Sequence, residues 1–261
     1  MIATECLSLS SNFQKLFAML IQENMKLADV VLHDHTLVPI INRFGIHLGF
    51  GDDSIAEICR HQHLNIDFFV TILNAFHDTH YFPKEQLRNF QAALIIDYLR
   101  KAHYYFLEEK VPEISILIDK MAEEYPLDKT TSDLISNFFT DYTVELNKHI
   151  LREEENVYPY VLQLEEAVSE NHVDEELFKK ISDYPISDYE AEHENLEEKL
   201  FDLKNILIKY LPEPKNDKPG YQLLRELFTL EKELNEHARI EDLIMVPKVK
   251  AMEEILKNME S

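Results

Sequence analysis

Two short stretches of this chain repeat the same chemistry. HILREEENVYP places Glu153 four residues after His149 and Pro159 ten after it, and HARIEDLIMVP places Glu241 four after His237 and Pro247 ten after it. Residues four apart share one face of a helix, so each His/Glu pair can reach a single point. Two lone histidines, His103 and His193, complete a series with intervals of 46, 44 and 44 residues between His103, His149, His193 and His237. Near-equal spacing across three helical hairpins brings one imidazole from each helix to a similar height. Imidazole nitrogen and carboxylate oxygen are donors suited to iron and related cations. One H-x-x-x-E arises easily in a Glu-rich helix. Two copies with matching prolines, and a histidine on each intervening helix, are far more specific.

The elements that must position these residues show alternating steps of three and four, the inward face of a bundle helix. The stripes read Ile96, Leu99, His103, Phe106; then Tyr142, Leu146, His149, Glu153, Val157, Tyr160, Leu164; then Tyr189, His193, Leu196, Leu200, Leu203, Leu207, Tyr210; then Leu223, Leu227, Leu230, Leu234, His237, Glu241, Ile244. Histidine interrupts every stripe and glutamate interrupts two. Burying an ionised carboxylate without compensation costs several kcal/mol. No lysine or arginine sits beside Glu153 or Glu241 on the stripes, whereas a cation supplies the compensation directly. Any one of these histidines alone would be read as a satisfied core residue; the six together are read as metal ligands.

The stripes predict an all-α fold. Four long helices run from about Leu87 past Tyr105, from near Ser132 toward Val168, from the capping pattern Ser187-Asp-Tyr-Glu190 to before Leu211-Pro212, and from Tyr221 to near the end of the chain. Their short connections imply an up-down four-helix bundle over residues 86–261. Residues 1–85 read as a small helical domain. It has a helical pattern from Leu27 to Phe44 ending at Gly45, a capping box at Ser54-Ile-Ala-Glu57, a further helix from Ile66 to Phe76, and a linker from His77 to Pro83. Only four glycines occur, three of them at 45, 49 and 51, which suits long helices elsewhere.

A formal net charge of −23 disfavours nucleic acid and anionic membranes as partners. No apolar run approaches the roughly 20 residues needed to span a bilayer. The N-terminus MIATECLSLSSNFQKLF lacks a basic region followed by an apolar block, so the chain reads as cytoplasmic. Cys6 and Cys59 are the only cysteines and form no CxxC pair. Cys59 is expected to be a buried, inert thiol.

The constellation resembles the hemerythrin-like, or HHE cation-binding, family of di-iron bundles, and among them the repair-of-iron-centres proteins. His149-Ile-Leu-Arg-Glu153-Glu154 followed by Tyr158-Pro159 resembles that family's H-x-x-K-E-E…F-P stretch, and His237-Ala-Arg-Ile-Glu241 with Pro247 its H-x-x-x-E…P motif. His103 and His193 match its single-histidine helices. Leu27-Ala-Asp-Val, Arg43-Phe44-Gly45-Ile46, Ser54-Ile-Ala-Glu57 and Asn65-Ile-Asp67 resemble the small domain preceding the bundle there. The resemblance implies two irons in an oxo- or hydroxo-bridged centre, bridged by Glu153 and Glu241, with two histidines on each. One departure stands out. Where the family carries adjacent cysteines, this chain has Gly49-Phe50, so a thiol-dependent step does not carry over.

The resulting expectation is a protein of the nitrosative and oxidative stress response, of the iron-sulfur cluster repair type. It would react with nitric oxide or dioxygen, or donate iron to damaged iron-sulfur proteins. The alternative is a hemerythrin-like carrier or sensor of dioxygen or nitric oxide without turnover. A metal-free structural bundle is the third reading. Whether the chain is an enzyme, and whether it dimerises, the residues leave open. Around the centre, Tyr104 and Tyr105 flank His103 and read as core packing rather than as hydrogen-bond donors to a bound gas. Glu197 and Glu145 lie one turn from a histidine and read as solvated or supporting groups. His33-Asp34-His35, His61-Gln62-His63, His77 and His80 read as polar surface rather than a second metal site, because alternating histidines on a helix do not share a face.

Overall fold

A computed structural model describes residues 20–259 except 79, 184–185 and 187–195, and the backbone alone of 196–198. The chain divides between Phe90 and Gln91 into two compact units. No strand occurs among the described residues, and the chain is an all-α helical bundle preceded by a helical region. No described helix is long and apolar enough to cross a membrane.

The first unit holds α1 (Leu27–His33), a 3-10 turn (His35–Leu37), α2 (Val38–Arg43), α3 (Ile55–His61), α4 (Ile66–His77) and α5 (Lys84–Asn89). The periodic stretch from Leu27 to Phe44 is therefore broken rather than continuous. Asp34 breaks it by accepting hydrogen bonds from the Thr36 amide at 3.1 Å and hydroxyl at 2.6 Å. Pro39, at the start of α2, has no amide to continue the ladder. The capping box at α3 is present in both directions, with the Ser54 amide donating to Glu57 at 2.8 Å and the Glu57 amide donating to Ser54 at 3.3 Å. Leu27, Ile40, Ile55, Phe69, Ile72 and Leu73 form the interior. Asn74 of α4 ties the incoming chain to this core by accepting from the Ile21 amide at 2.7 Å and donating to its carbonyl at 2.9 Å.

The second unit is built from α6 (Ala92–Tyr104), α7 (Val111–Glu124), α8 (Lys129–Arg152), α9 (Tyr158–Glu170), α10 (Glu175–Asp183), α11 (Leu196–Tyr210), α12 (Lys218–Ile240) and α13 (Val246–Met259). Neighbours meet around a ring: α7 packs on α8 and α12, α11 packs on α8 and α12, and α9 packs on α6 and α13. Phe106, Ile114, Met121, Tyr142, Leu146, Leu203, Leu223 and Leu227 fill the interior at one end. Glu165 of α9 accepts from the Ala92 amide at 2.6 Å and the Ala93 amide at 3.2 Å, fixing the start of α6 by capping two orphan donors.

Three of the long helices are interrupted in the same way. A single π-helical turn joins α6 to α7 (Tyr105–Lys110), α8 to α9 (Glu153–Val157) and α12 to α13 (Glu241–Met245). The wide hydrogen bonds run from the Val111 amide to the Phe106 carbonyl, from Tyr158 to Glu153, and from Val246 to Glu241. Each turn is followed by a proline at the second position of the next helix: Pro112, Pro159 and Pro247. Proline lacks an amide and clashes with the carbonyl four residues back, and a widened turn relieves that clash. The prolines thus mark an inserted residue in each helix rather than a simple bend.

Candidate metal centre

The site lies where these wide turns begin. Glu153 and Glu241 are the first residues of their π turns. His103 comes from α6, His149 and His237 from the last turns of α8 and α12. Donor atoms of His103, Glu153, His237 and Glu241 all fall within 4.8 Å of one another, and all four side chains are buried. His103 Nε2 is 3.1 Å from His237 Nε2 and 3.1 Å from Glu153 Oε2. His237 Nε2 is 3.3 Å from Glu241 Oε1. On its other side Glu153 presents Oε1 to His149 Nε2 at 3.0 Å. One carboxylate therefore faces two histidines with two different oxygens.

His149 is drawn to the site through Glu153 and is more open, with 22% of its side chain exposed against 4% for His103. His193 and Tyr189 lie outside the described residues, as do the side chains of Leu196 and Glu197. Glu145 points elsewhere and pairs with Lys199. Tyr104 is exposed, and Tyr105 is buried with the Lys110 ammonium 5.6 Å from its ring centroid.

A different tyrosine reaches the centre. Tyr158, the first residue of α9, is fully buried, and its hydroxyl donates to Glu241 Oε1 at 2.9 Å and lies 3.3 Å from His103 Nε2. Its ring is parallel to that of His103, with 5° between planes and 5.6 Å between centroids. Steps of three and four from Val157 select Tyr160 for the inward face. The structure turns Tyr158 inward instead and leaves Tyr160 half-buried, its hydroxyl donating to Glu253 at 2.7 Å. The extra residue of the π turn resets the register, and Pro159 is the only sign of that reset in the sequence. Tyr210, expected on the third stripe, is likewise exposed, because it is the last residue of α11.

Glu154, the second glutamate of the His149–Glu154 stretch, supports His103 from behind. Its Oε1 lies 2.8 Å from His103 Nδ1, and its Oε2 accepts from Arg100 at 2.8 Å. A carboxylate only accepts, so Nδ1 carries the proton and Nε2 is turned toward the interior. Burial works against ionising Glu154, but the His103 and Arg100 hydrogen bonds outweigh it and hold its carboxyl below the usual range. His237 is packed edge-on by Phe106 at 5.6 Å, and its Nδ1 has no hydrogen-bond partner among the described residues.

The centre is short of positive charge. Burial alone would push the His103 imidazole down, yet its hydrogen bonds to Glu153 and Glu154 and the charge of Glu241 raise it to about 9. A site that protonates a buried imidazole at neutral pH has the field that holds a cation in its place. Carboxylate oxygens and imidazole nitrogens at this spacing fit a metal ion, and the group can hold one. No second group of three such side chains converges among the described residues. In the N-terminal unit, His77 Nδ1 instead meets Asp34 at 2.8 Å, and its ring tilts against His33 at 6.0 Å.

None of the curated proteins matches the chain. The hemerythrin HHE cation-binding domain matches residues 94–249, a span that runs from the first turn of α6 into α13 and contains all three π turns and His103, His149, Glu153, His237 and Glu241. On that match and this geometry, the chain belongs to the hemerythrin HHE cation-binding family.

Proposed function

We propose that the bundle holds two iron ions, liganded by His103, His149, Glu153, His193, His237 and Glu241. The observation that carries this reading is the placement of Glu153, whose Oε2 faces His103 at 3.1 Å while its Oε1 faces His149 at 3.0 Å. A carboxylate serving one ion needs no histidine at each oxygen; one shared between two ions does. His103, His237 and Glu241 surround the first position, and His149 marks the second, with His193 as its further ligand.

Bound iron supplies a centre that exchanges electrons and takes up a small ligand. Six protein donors divided between two ions leave coordination positions open, which suits a reactive rather than a closed structural site. The chain's own part is to neutralise the ions with two buried glutamates, to orient His103 through Glu154, and to exclude bulk water with Phe106 and Tyr158.

The proposed role is reaction with nitric oxide or dioxygen under nitrosative or oxidative stress, or donation of iron to damaged iron-sulfur proteins. A second reading, a carrier or sensor that binds dioxygen or nitric oxide without turnover, is favoured by one feature of the N-terminal unit. Gly49 and Phe50 stand where the resembling repair proteins carry adjacent cysteines, and Gly49 has a left-handed backbone (φ +100°) that strains any cysteine placed there.

Iron analysis of the purified chain, before and after exposure of the reduced protein to each gas, tests both readings. About two irons per chain is the expected content. Transfer of iron to an acceptor cluster protein supports repair, and reversible spectral change with iron retained supports the carrier. Protein that takes up no iron, or one ion per chain at saturation, defeats the two-iron reading.

A further inference from the structure

We propose that the hydroxyl oxygen of Tyr158 is a further donor to the metal ion held by His103, His237 and Glu241. The inference rests on the two-metal reading and adds a ligand to one half of that centre. Tyr158 is fully buried and held on a fixed line by its parallel stack on His103 and by the Arg100 guanidinium 5.7 Å from its ring centroid. Its oxygen lies 2.9 Å from Glu241 Oε1 and 3.3 Å from His103 Nε2. Those are the separations between the site's other donors, 3.1 Å for the two histidine nitrogens and 3.3 Å for His237 and Glu241.

Donors at adjacent corners of an octahedral ion bound at about 2.1 Å sit roughly 3.0 Å apart. The phenol oxygen therefore occupies the place of the next donor in the same shell. A hydroxyl that only supported Glu241 needs the first contact alone; a shared ion accounts for both. Phenolate oxygen is an accepted donor to ferric iron. On coordination the phenol O–H bond is exchanged for an oxygen–metal bond and one proton is released to solvent, and no electron changes hands.

The two halves of the centre then differ. The His103 half gains a donor in Tyr158 and exposes only 4% of that histidine's side chain, while 22% of the His149 side chain is exposed.

The test uses the full chain loaded with ferric iron and compares wild type, Tyr158→Phe and Tyr104→Phe by visible absorption and resonance Raman spectroscopy. Wild type is expected to show a phenolate-to-iron charge-transfer band carrying tyrosinate ring vibrations. Tyr158→Phe is expected to keep its helical circular dichroism and still bind iron while losing the band completely, and Tyr104→Phe to keep it. Iron-loaded wild type without tyrosinate vibrations overturns the proposal and leaves the two-metal reading standing, whether or not the Phe variant folds. A band that survives in Tyr158→Phe overturns it as well. Wild type that binds no iron removes the two-metal reading and this proposal together.

Discussion

Glu154 Oε1 sits 2.8 Å from His103 Nδ1, the ring nitrogen opposite the one that faces the centre. Such a contact fixes the tautomer and raises the basicity of the other nitrogen, and losing it costs about 10–100-fold in metal affinity in comparable sites. Glu154→Ala is expected to weaken iron binding by about that factor in competition with a chelator, and Glu154→Gln by less, since the amide oxygen still accepts. Equal affinities in wild type and Glu154→Ala would mean that packing alone orients His103.

Glu153 and Glu241 are wholly or almost wholly buried, so in the metal-free chain they are a liability. Glu153→Ala and Glu241→Ala are expected to lose most bound iron. Their metal-free thermal midpoints are expected to equal or exceed that of the metal-free wild type. The stabilisation by ligand, about 2.7 kcal/mol at a hundredfold excess over Kd, is expected to vanish in both. Differential scanning calorimetry with and without iron reads both effects, and a lower metal-free midpoint in either variant would argue that the carboxylate has a structural task.

Lys110 follows His103 on the same long helix and holds Glu226 of α12 at 2.7 Å and Glu113 at 2.8 Å. Burial works to raise the Glu226 carboxyl, but Lys110 and then Arg225 outweigh it and hold it below its ordinary 4.5. A carboxyl lowered in the folded state stabilises fully above the unfolded value, and that stability is lost as pH falls through the folded one. Glu226→Gln is expected to cost about 1 kcal/mol at pH 7, a drop of roughly 2–4 °C in Tm. The gap from wild type should close as pH falls below 4. A gap that stays constant from pH 7 to pH 3 would show that the charge of Glu226 is irrelevant.

Cys59 of α3 is fully buried, and burial pushes its thiol up to about 11 despite Arg60. Thiolate is the reactive form, so alkylation at pH 8 is expected to be roughly 100-fold or more slower in the native chain than in denaturant. Peptide mapping after iodoacetamide treatment locates the modified residue. Rapid native labelling of Cys59 would mean that this helix opens readily.

How much of this was legible beforehand varies along the chain. The inward stripe of α6 and the turn after it needed no tertiary information, since Ile96, Leu99, His103 and Phe106 are all buried and regularly spaced. In α12 the stripe holds from Leu223 to Ile244, with Leu234 partly buried. Past Glu153 the rule misplaces a tyrosine, although Val157 and Leu164 stay buried. Hydrophobic periodicity assumes a constant turn, and the π turns at Glu153 and Glu241 insert one residue each. That is why Tyr160 was selected and Tyr158 was not, although they are two positions apart. The break at Asp34 was hidden for a different reason: a side chain competing for a backbone amide leaves no mark on apolar spacing.

Sequence by itself determined the all-helical bundle and the residue types at its interruptions, because burial of apolar stripes and the exclusion of unpaired charge act at fixed helical intervals. Tertiary structure decided which atoms face one another. It turned the two oxygens of Glu153 to two different histidines, brought Glu154 behind His103, and rotated Tyr158 into the centre. Side-chain register past a widened turn depends on hydrogen bonds between residues five apart and on the helices packed around them, and linear spacing carries neither.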